Sequence, residues 1–372
     1  MSDPSTLRQA QGASEGASLR QAQGASEGES QGASEGEHPG LRAGALRALL
    51  AANDIEVAGD LVIELISGGR SNLTFSVHDD EHRWVARRPP MAGLTPSAHD
   101  MEREWAVTSA LIDTPVPVAT PVAIDRTGEF IGAPCTVVDF VDGDVMRTVD
   151  DLVVWSDTDV SANFEALVAT LADLHAVDYR AVGLAEFGRP DGFAARQVKL
   201  WTRQWGLVKT RDLPDVERLA GALTERIPEA ARSTIVHGDY RVDNTIIAPG
   251  DPARVAAVVD WELSALGDPL TDVALMCIYR EPVFAEVMGF APAWTSDRYP
   301  TAEQMAQRYA QVAGVDLGDW GFYLGLANLK IGVIAEGITH RALRGGSSGT
   351  AGAERAAGAT AAFIAAGLEA LK

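Results

Sequence analysis

The chain is poor in cysteine, and long apolar runs are missing from it. Its 372 residues include two cysteines, Cys135 and Cys277, each inside a short apolar stretch. We therefore predict two buried thiols rather than a disulfide framework. No uninterrupted apolar run approaches the 18 residues of a transmembrane helix, and none is expected. The N-terminal residues lack the apolar core of a signal peptide, so we expect a cytoplasmic protein.

Basic side chains are also scarce relative to acidic ones. The chain has 31 lysines and arginines against 52 aspartates and glutamates, a formal net charge of -21. Such a balance argues against nonspecific nucleic-acid binding and against adsorption to anionic membranes, because both need basic surface. It is compatible with plain solubility, a cationic substrate or a Mg²⁺-dependent enzyme. Apolar residues make up 46% of the chain, enough to build the cores of two lobes.

Residues 1–38 form a low-complexity leader. The unit LRQAQGASEG occurs at 7–16 and again at 19–28, and it offers almost nothing to bury. We predict that this leader is disordered and has no catalytic role.

The patterns after the leader change once along the chain. Residues 55–140 alternate in the manner of five antiparallel strands, with a helix inserted after the third strand. Residues 141–372 are mainly amphipathic helices with a small β-hairpin. We predict an α+β protein with an N-terminal lobe at 39–140 and a C-terminal lobe at 141–372.

Two polar motifs follow apolar strands in the second lobe. In HGDYRVDN, Asp239 and Asn244 are five residues apart, and Asp260 ends the strand of VVDWE. Phosphoryl transfer needs a group that accepts the proton of the acceptor hydroxyl and oxygen ligands for Mg²⁺ on the nucleotide phosphates. The spacing matches the catalytic loop and metal-binding aspartate of kinases. One of these residues alone would indicate an ordinary capped turn, whereas the three in order favour kinase chemistry.

The first lobe contains candidate phosphate-binding residues. Gly68, Gly69 and Ser71 lie in SGGRS, a turn whose backbone could approach a phosphate, although most such turns simply join two strands. Arg87, on the third strand, can bind phosphate oxygens through its guanidinium. Its partner on the inserted helix is predicted to be Glu104 rather than Glu102. The alternative for Glu104 is a solvated helix charge.

Several stretches together resemble the aminoglycoside phosphotransferase and choline kinase-like superfamily, which has a two-lobed protein-kinase-like fold. The resemblance is strongest to the branch of stand-alone bacterial phosphotransferases and kinase-like domains fused to some acyl-CoA dehydrogenases. It covers residues from about 66 to 276, and the C-terminal helices are compatible with it. The motifs that carry it are GGRSNLTF, VARRPP, HDMEREW, FVDGD, LADLHAVD, HGDYRVDN and VVDWELSALGDPLTDVA.

The resemblance implies ATP and Mg²⁺ as cofactors, and a role for each matching residue. Asp239 corresponds to the catalytic base, and Asn244 and Asp260 correspond to the Mg²⁺ ligands. Arg87 stands where the superfamily often has lysine. Adenine would contact the segment between the lobes, and two further residues would hold the catalytic loop. The adenine segment is represented by Val138, Asp139 and Val141, and the two loop-holding residues are His237 and Asp272.

The acceptor is less well defined. Arg196, Lys199 and Arg203 share one helix face, which is either a solvated surface or the counter-charge for an anionic substrate such as a coenzyme A ester. Arg241 and Arg341 are further candidates for anion contact, or structural ion pairs. Aminoglycosides are polycationic and are bound by acidic helices in their modifying enzymes, so this basic face points away from them.

These observations favour a small-molecule kinase that phosphorylates a hydroxyl group, for example of a hydroxyacyl-CoA or a related anionic acceptor, with no nucleic-acid or membrane partner. An aminoglycoside O-phosphotransferase is the alternative within the enzymes. A nucleotide-binding pseudokinase or regulatory module is the alternative outside them, and the presence of all three polar residues in the motifs disfavours it. A dehydrogenase is not expected, because residues 41–372 are taken up by the two lobes.

Overall fold

The computed structural model describes residues 37–67, 72–91, 100–229, 232–344 and 349–372. Residues 1–36 of the predicted leader and the predicted phosphate-loop residues Gly68, Gly69 and Ser71 lie outside this part. The described chain forms two compact units. The first contains the described residues up to Val145 together with Asn244–Glu262, and the second contains Met146–Asp243 and Leu263–Lys372.

A five-stranded antiparallel sheet is the centre of the first unit. The elements of this unit are β1 Glu37–His38, β2 Leu41–Arg42, α1 Ala43–Ala52, β3 Val62–Ser67, β4 Leu73–His78, β5 Arg83–Arg88, α2 Met101–Leu111, β6 Pro121–Asp125 and β7 Cys135–Asp139. The spatial order of the sheet is β3-β4-β5-β7-β6, and the helix α2 follows the third of these strands, as predicted. Two very short strands, β1 and β2, pair before the helix α1.

The period of two along the strands decides which face is buried. On β5, Trp84 and Ala86 are buried while Val85 and Arg87 are only partly so, because successive side chains point to opposite faces. The buried face packs with Leu46 and Leu49 of α1 into one apolar core.

A β-hairpin of the predicted second lobe belongs to the first compact unit. It consists of β9 (Thr245–Ile247) and β10 (Val255–Val258). The backbone N–H of Val258 donates to the Pro117 carbonyl at 2.8 Å, and the N–H of Asp144 donates to the Ile247 carbonyl at 2.8 Å. These bonds fasten the hairpin to the segments around β6 and β7.

Helices dominate the second unit, as predicted. Most of them lie within a few residues of the predicted segments, but the short helix Phe284–Met288 was not predicted. The helix Asp157–Ala176 starts before its predicted apolar segment, because Ser156 and Asp159 form a capping box that satisfies free N–H groups of its first turn. The elements are α3 Asp157–Ala176, α4 Phe193–Val208, α5 Pro214–Glu225, β8 Thr234–Val236, β11 Ala265–Gly267, α6 Leu270–Arg280, α7 Phe284–Met288, α8 Ala302–Ala313, α9 Trp320–Leu343 and α10 Gly349–Ala370.

The helix α9 is long and apolar enough to cross a membrane by length and composition alone. However, 78% of its most apolar 18-residue window is buried inside the protein, and the helix contains the buried charged residues Lys330 and Glu336. These are the properties of a core helix, and α4 and α10 pack against it.

Candidate active site

The predicted catalytic loop follows β8 in the second unit. β8 pairs antiparallel with β11, and the loop continues with His237, Gly238 and Asp239. The carboxylate of Asp272, in the first turn of α6, accepts the backbone N–H of His237 at 2.6 Å and that of Gly238 at 2.8 Å. The backbone N–H of Asp239 donates to Nδ1 of His237 at 3.2 Å. His237 and Asp272 therefore hold the backbone that carries Asp239, and both are fully buried.

Gly238 has no substitute in this loop. Its φ of +83° lies in the left-handed region, which side chains other than glycine rarely adopt. A Cβ atom here would also lie 2.7 Å from the Leu263 carbonyl oxygen. The glycine therefore lets the chain turn sharply between the strand and Asp239.

Asp239 is buried beside a group of charged and polar residues. Its Oδ1 lies 3.3 Å from Nε of Arg241, and Arg241 also reaches Asp243 at 3.4 Å. Burial alone would raise the pKa of Asp239, but the charge of Arg241, the Tyr279 hydroxyl and the charge of Lys330 hold it below its ordinary value. Asp239 is thus kept as a carboxylate, the form that can accept a proton.

The predicted ion pair of the first unit is present. Nη1 of Arg87, on β5, lies 2.7 Å from Oε2 of Glu104 on α2, and both side chains are nearly buried. Glu102 is instead exposed and reaches Arg126 at 3.6 Å. Burial opposes the charge of Arg87, but the surrounding carboxylates outweigh it and raise the pKa of the guanidinium. The role of this pair in binding nucleotide phosphates stays a prediction.

Asp260 lies at the end of the hairpin in a strained backbone conformation. Its φ is +68°, a value that costs a residue with a side chain free energy and that is concentrated at functional sites. One carboxylate oxygen from each of Glu104, Asp260 and Glu262 lies within 4.8 Å of the others. This group of three is called the acidic cluster below.

The acidic cluster has the chemistry of a divalent-cation site. Burial and the neighbouring Asp260 raise the pKa of Glu104, although Arg87 opposes the rise. Oε1 of Glu104 is buried and has no hydrogen-bond partner among the described residues, an arrangement that costs free energy unless a ligand completes it. Magnesium prefers such oxygen ligands, so the residues fit this ion.

The other predicted ligand and the adenine segment belong to the same compact unit as the acidic cluster. The carbonyl of Asn244 accepts the N–H of Val259 at 3.0 Å, which places Asn244 beside the residue before Asp260. Val138 and Asp139 end β7, and Val141 follows. The N–H of Asp139 already donates to the Thr120 carbonyl at 2.8 Å, so recognition of adenine would depend on the other backbone groups of this segment.

The predicted substrate-binding arginines and lysine have different surroundings. Lys199 and Arg203 are exposed on α4, whereas the guanidinium of Arg196 donates to the carbonyls of Arg189 and Asp191. Arg241 is 2% exposed and pairs with two aspartates, which favours the structural alternative for this residue.

A pocket of about 40 Å³ lies in the second unit beside the catalytic loop. Phe193 and Trp201 of α4 and Leu326 of α9 form apolar walls, and Gly238 and Lys330 also line the pocket. Cavities of this size have room for small groups.

Sequence reasoning missed Glu262, Tyr279 and Lys330. Glu262 is two residues after Asp260 in DWE, and its acidity next to a predicted metal ligand was a usable signal. Tyr279 and Lys330 are distant in sequence from HGDYRVDN, and each resembles an ordinary helix residue. The fold alone brings them to Asp239.

A model of the phosphotransferase enzyme family matches residues 62–318. The chain belongs to this family. The catalytic loop, the ion pair and the acidic cluster all lie within the matched range.

Two curated relatives carry a different name. The chain is 33% identical over 307 residues to acyl-CoA dehydrogenase family member 10 of Mus musculus. The match covers 82% of this chain and 28% of that protein. It is 32% identical over 294 residues to acyl-CoA dehydrogenase family member 11 of Homo sapiens, covering 77% of this chain and 37% of that protein. The chain thus spans about a third of the length of these relatives.

Solved structures share the fold of this phosphotransferase. A crystal structure from Ralstonia eutropha, assigned to the aminoglycoside phosphotransferases, has a TM-score of 0.75 and 32% identity, and covers 87% of this chain and 98% of its own. A thermostable aminoglycoside phosphotransferase in complex with ADP and hygromycin B has a TM-score of 0.55 and 18% identity, covering 82% and 93%. The chain is a small-molecule kinase with a two-lobed, protein-kinase-like α+β fold.

Proposed function

We propose that this protein transfers the γ-phosphate of ATP, with Mg²⁺, to a hydroxyl group of an anionic small molecule, such as a hydroxyacyl-CoA. The observation that carries the proposal is Asp239: a buried carboxylate, kept ionised by its neighbours, on a loop whose backbone is fixed by Asp272 and His237. A general base must be both deprotonated and positioned, and Asp239 meets both demands.

The chemistry of the step follows from these residues. Asp239 accepts the proton of the acceptor hydroxyl as that oxygen forms a bond to the γ-phosphorus. The bond between the γ-phosphorus and the bridging oxygen breaks, and ADP leaves with the electron pair. Positioning and electrostatic stabilisation account for most catalysis in such transfers.

The first unit supplies groups for the nucleotide. Arg87 can bind phosphate oxygens, and its pairing with Glu104 fixes the direction of the guanidinium. Asp260 and Glu262 of the acidic cluster, together with Asn244, would hold Mg²⁺, which when bound offsets phosphate charge. Support for ATP comes from structural neighbours, since aminoglycoside phosphotransferases of this fold are solved with ADP or with AMP-PNP.

An anionic acceptor is favoured by two observations. Lys199 and Arg203 leave exposed positive charge on α4 of a protein whose net charge is -21. The curated relatives are named for acyl-CoA dehydrogenases, which points to an acyl-CoA acceptor with a free hydroxyl. A cytoplasmic location is part of the proposal, supported by two buried free thiols, Cys135 and Cys277.

An aminoglycoside acceptor is the second candidate. It is supported by neighbours of the same fold solved with hygromycin B or kanamycin. The exposed positive charge on α4 opposes a polycationic substrate, so we place it second.

The test measures ADP formation with purified protein, ATP and a panel of hydroxyacyl-CoAs and aminoglycosides, with and without Mg²⁺. We expect Mg²⁺-dependent turnover of a hydroxyacyl-CoA and little turnover of kanamycin. Turnover of aminoglycosides alone would transfer the assignment to the second candidate. If the affinity for ATP is the same with and without Mg²⁺ and no acceptor is phosphorylated, the protein is a nucleotide-binding module instead.

A further inference from the structure

Lys330 is a buried cation that the transfer chemistry above does not use. It lies in the middle of α9 and is 9% exposed. Within the part of the chain that the structure describes, it has no carboxylate partner at ion-pair distance, and its one hydrogen bond goes from Nζ to the Gly238 carbonyl at 2.8 Å. Removing an ammonium group from water costs several kcal/mol. Because no paired carboxylate among the described residues offsets this cost, we expect Lys330 to have a role other than ion pairing.

The hydrogen bond of Lys330 is made to the peptide group that carries Asp239. The Gly238 carbonyl and the Asp239 N–H belong to one peptide plane. His237 Nδ1 accepts the N–H of that plane, and Lys330 donates to its carbonyl. The plane is thus held at both ends, next to a glycine whose backbone would otherwise rotate freely.

The charge of Lys330 also acts on Asp239 directly. Burial lowers the pKa of Lys330, while the negative charges of Asp239 and Asp272 oppose this fall. Lys330 in turn contributes to the lowered pKa of Asp239, after the larger contributions of Arg241 and Tyr279. The ammonium also lies 5.7 Å from the centroid of the Trp201 ring, a contact that favours a cation over a neutral group.

We propose that Lys330 is a positioning residue for phosphoryl transfer: its ammonium locks the Gly238–Asp239 peptide so that the Asp239 carboxylate is presented to the acceptor hydroxyl. This assignment rests on the proposed function, because it takes Asp239 as the base. It differs from a packing role, since a neutral side chain of the same size would fill the site without donating to the carbonyl.

The first experiment compares Lys330→Met, Lys330→Arg and wild type, with Lys372→Met as a matched control at an exposed lysine. ADP formation is measured with the best acceptor of the panel, and with water as acceptor through phosphate release. Lys330→Met should lower kcat about a hundredfold and leave the KM for ATP within about twofold, since nucleotide groups are untouched. Lys330→Arg should restore a large part of kcat, and Lys372→Met should behave as wild type.

The pH profile separates positioning from packing. Loss of the nearby positive charge raises the pKa of Asp239, so the acid limb of kcat should appear at higher pH in Lys330→Met than in wild type. Lys330→Arg should keep the limb where it is. If Lys330→Met keeps the acid limb of kcat at the wild-type pH and a kcat within twofold of wild type, the proposal is overturned.

Chemical rescue distinguishes the loss of the ammonium charge from a general loss of packing. Lys330→Ala removes the atoms of propylammonium and enlarges the adjacent pocket, which Lys330 already lines. Added propylammonium should raise kcat of this variant at least tenfold, whereas propanol, which has similar size and no charge, should not. Equal rescue by both compounds, or rescue by neither, would show that Lys330 only fills space in the core, and it would overturn the proposal.

Amide hydrogen exchange tests the clamp without any turnover. Peptides that contain residues 237–241 should exchange faster in Lys330→Met than in Lys372→Met at equal thermal stability, because one end of the peptide plane is released. Unchanged exchange contradicts the clamp even if the protein phosphorylates nothing. Failure of wild type to consume ATP, with the exchange difference present, would count against the proposed function and leave the clamp standing.

Discussion

At the residue scale, two buried aspartates near the catalytic loop have different tasks. Asp239 pairs with Arg241, while Asp272 is bound by two backbone N–H groups and by Nε2 of His175 at 3.3 Å. The pKa of both is lowered against the effect of burial. Hydrogen bonds from the backbone fully engage Asp272, so it is suited to holding the loop, whereas Asp239 is suited to accepting a proton.

Replacement of Asp239 by asparagine should remove the base and keep the shape of the loop. We expect kcat to fall by about 10² to 10⁴, with the dissociation constant for ATP within about twofold of wild type. Rapid-quench kinetics and calorimetric ATP titration give the two values. The control is Asp215→Asn, at a half-exposed aspartate in the first turn of α5. An Asp239→Asn variant as fast as this control would exclude Asp239 as the base.

Replacement of Asp272 by asparagine should affect stability and its dependence on pH. The amide cannot accept both backbone N–H groups as a carboxylate does, so we expect a loss of about 3 to 5 kcal/mol in the free energy of unfolding. Since the folded pKa of Asp272 lies below the ordinary 3.8, its contribution is complete above 3.8 and is lost as the pH falls through the folded value. Urea unfolding of wild type should therefore become easier across that range, and the variant should show less of this change. A variant as stable as wild type at neutral pH contradicts the anchoring role.

At the element scale, periodic patterns predicted most of the protein. The strands of the first sheet and the helices from α3 to α10 agree with the apolar periodicities of their segments, because each element buries one face. The exception is the short helix α7, which was not predicted. The strand β11 was not predicted, because Ala265–Gly267 is three residues long and carries no apolar periodicity. The pairing of β8 with β11 was therefore missed. Site residues inside motifs were found, whereas Lys330 required the tertiary fold, because nothing in the sequence of α9 distinguishes it from a snorkelling surface lysine.

The turn between β8 and Asp239 provides a test of backbone geometry. Gly238→Ala should lose about 1 to 2 kcal/mol from the left-handed conformation, and more from the 2.7 Å approach to the Leu263 carbonyl oxygen. The matched control is Gly221→Ala on α5, where a Cβ meets nothing within 4 Å and should stabilise the helix by about 0.5 to 1 kcal/mol. Thermal unfolding of both variants gives the comparison, and opposite signs are expected. A stabilised Gly238→Ala would show that the loop tolerates another conformation.

At the scale of the whole molecule, the net charge of -21 sets the electrostatic field that an anionic acceptor would meet. That field would be repulsive, and under the proposed function the positive groups on α4 would offset it locally. The effect should weaken with added salt, because exposed charges are screened over about 10 Å at 0.1 M ionic strength.

The double variant Lys199→Glu/Arg203→Glu tests this electrostatic role. We expect the KM for a hydroxyacyl-CoA to rise about tenfold at low salt and the KM for ATP to stay unchanged, with the difference shrinking at high salt. The control is Arg180→Glu/Arg218→Glu, which changes the net charge equally at exposed positions of the same unit. Equal KM values for the two double variants would make the face of α4 an ordinary solvated surface.

The division of the chain into compact units has a consequence for its synthesis. The first unit is completed by Asn244–Glu262, yet Met146–Asp243 of the second unit leaves the ribosome earlier. At cellular translation rates, this delay is on the order of ten seconds. During that interval the sheet of the first unit lacks the hairpin that bears Asn244 and Asp260, so the nascent chain cannot assemble its acidic cluster until Met146–Asp243, the stretch that carries the catalytic loop, has been made.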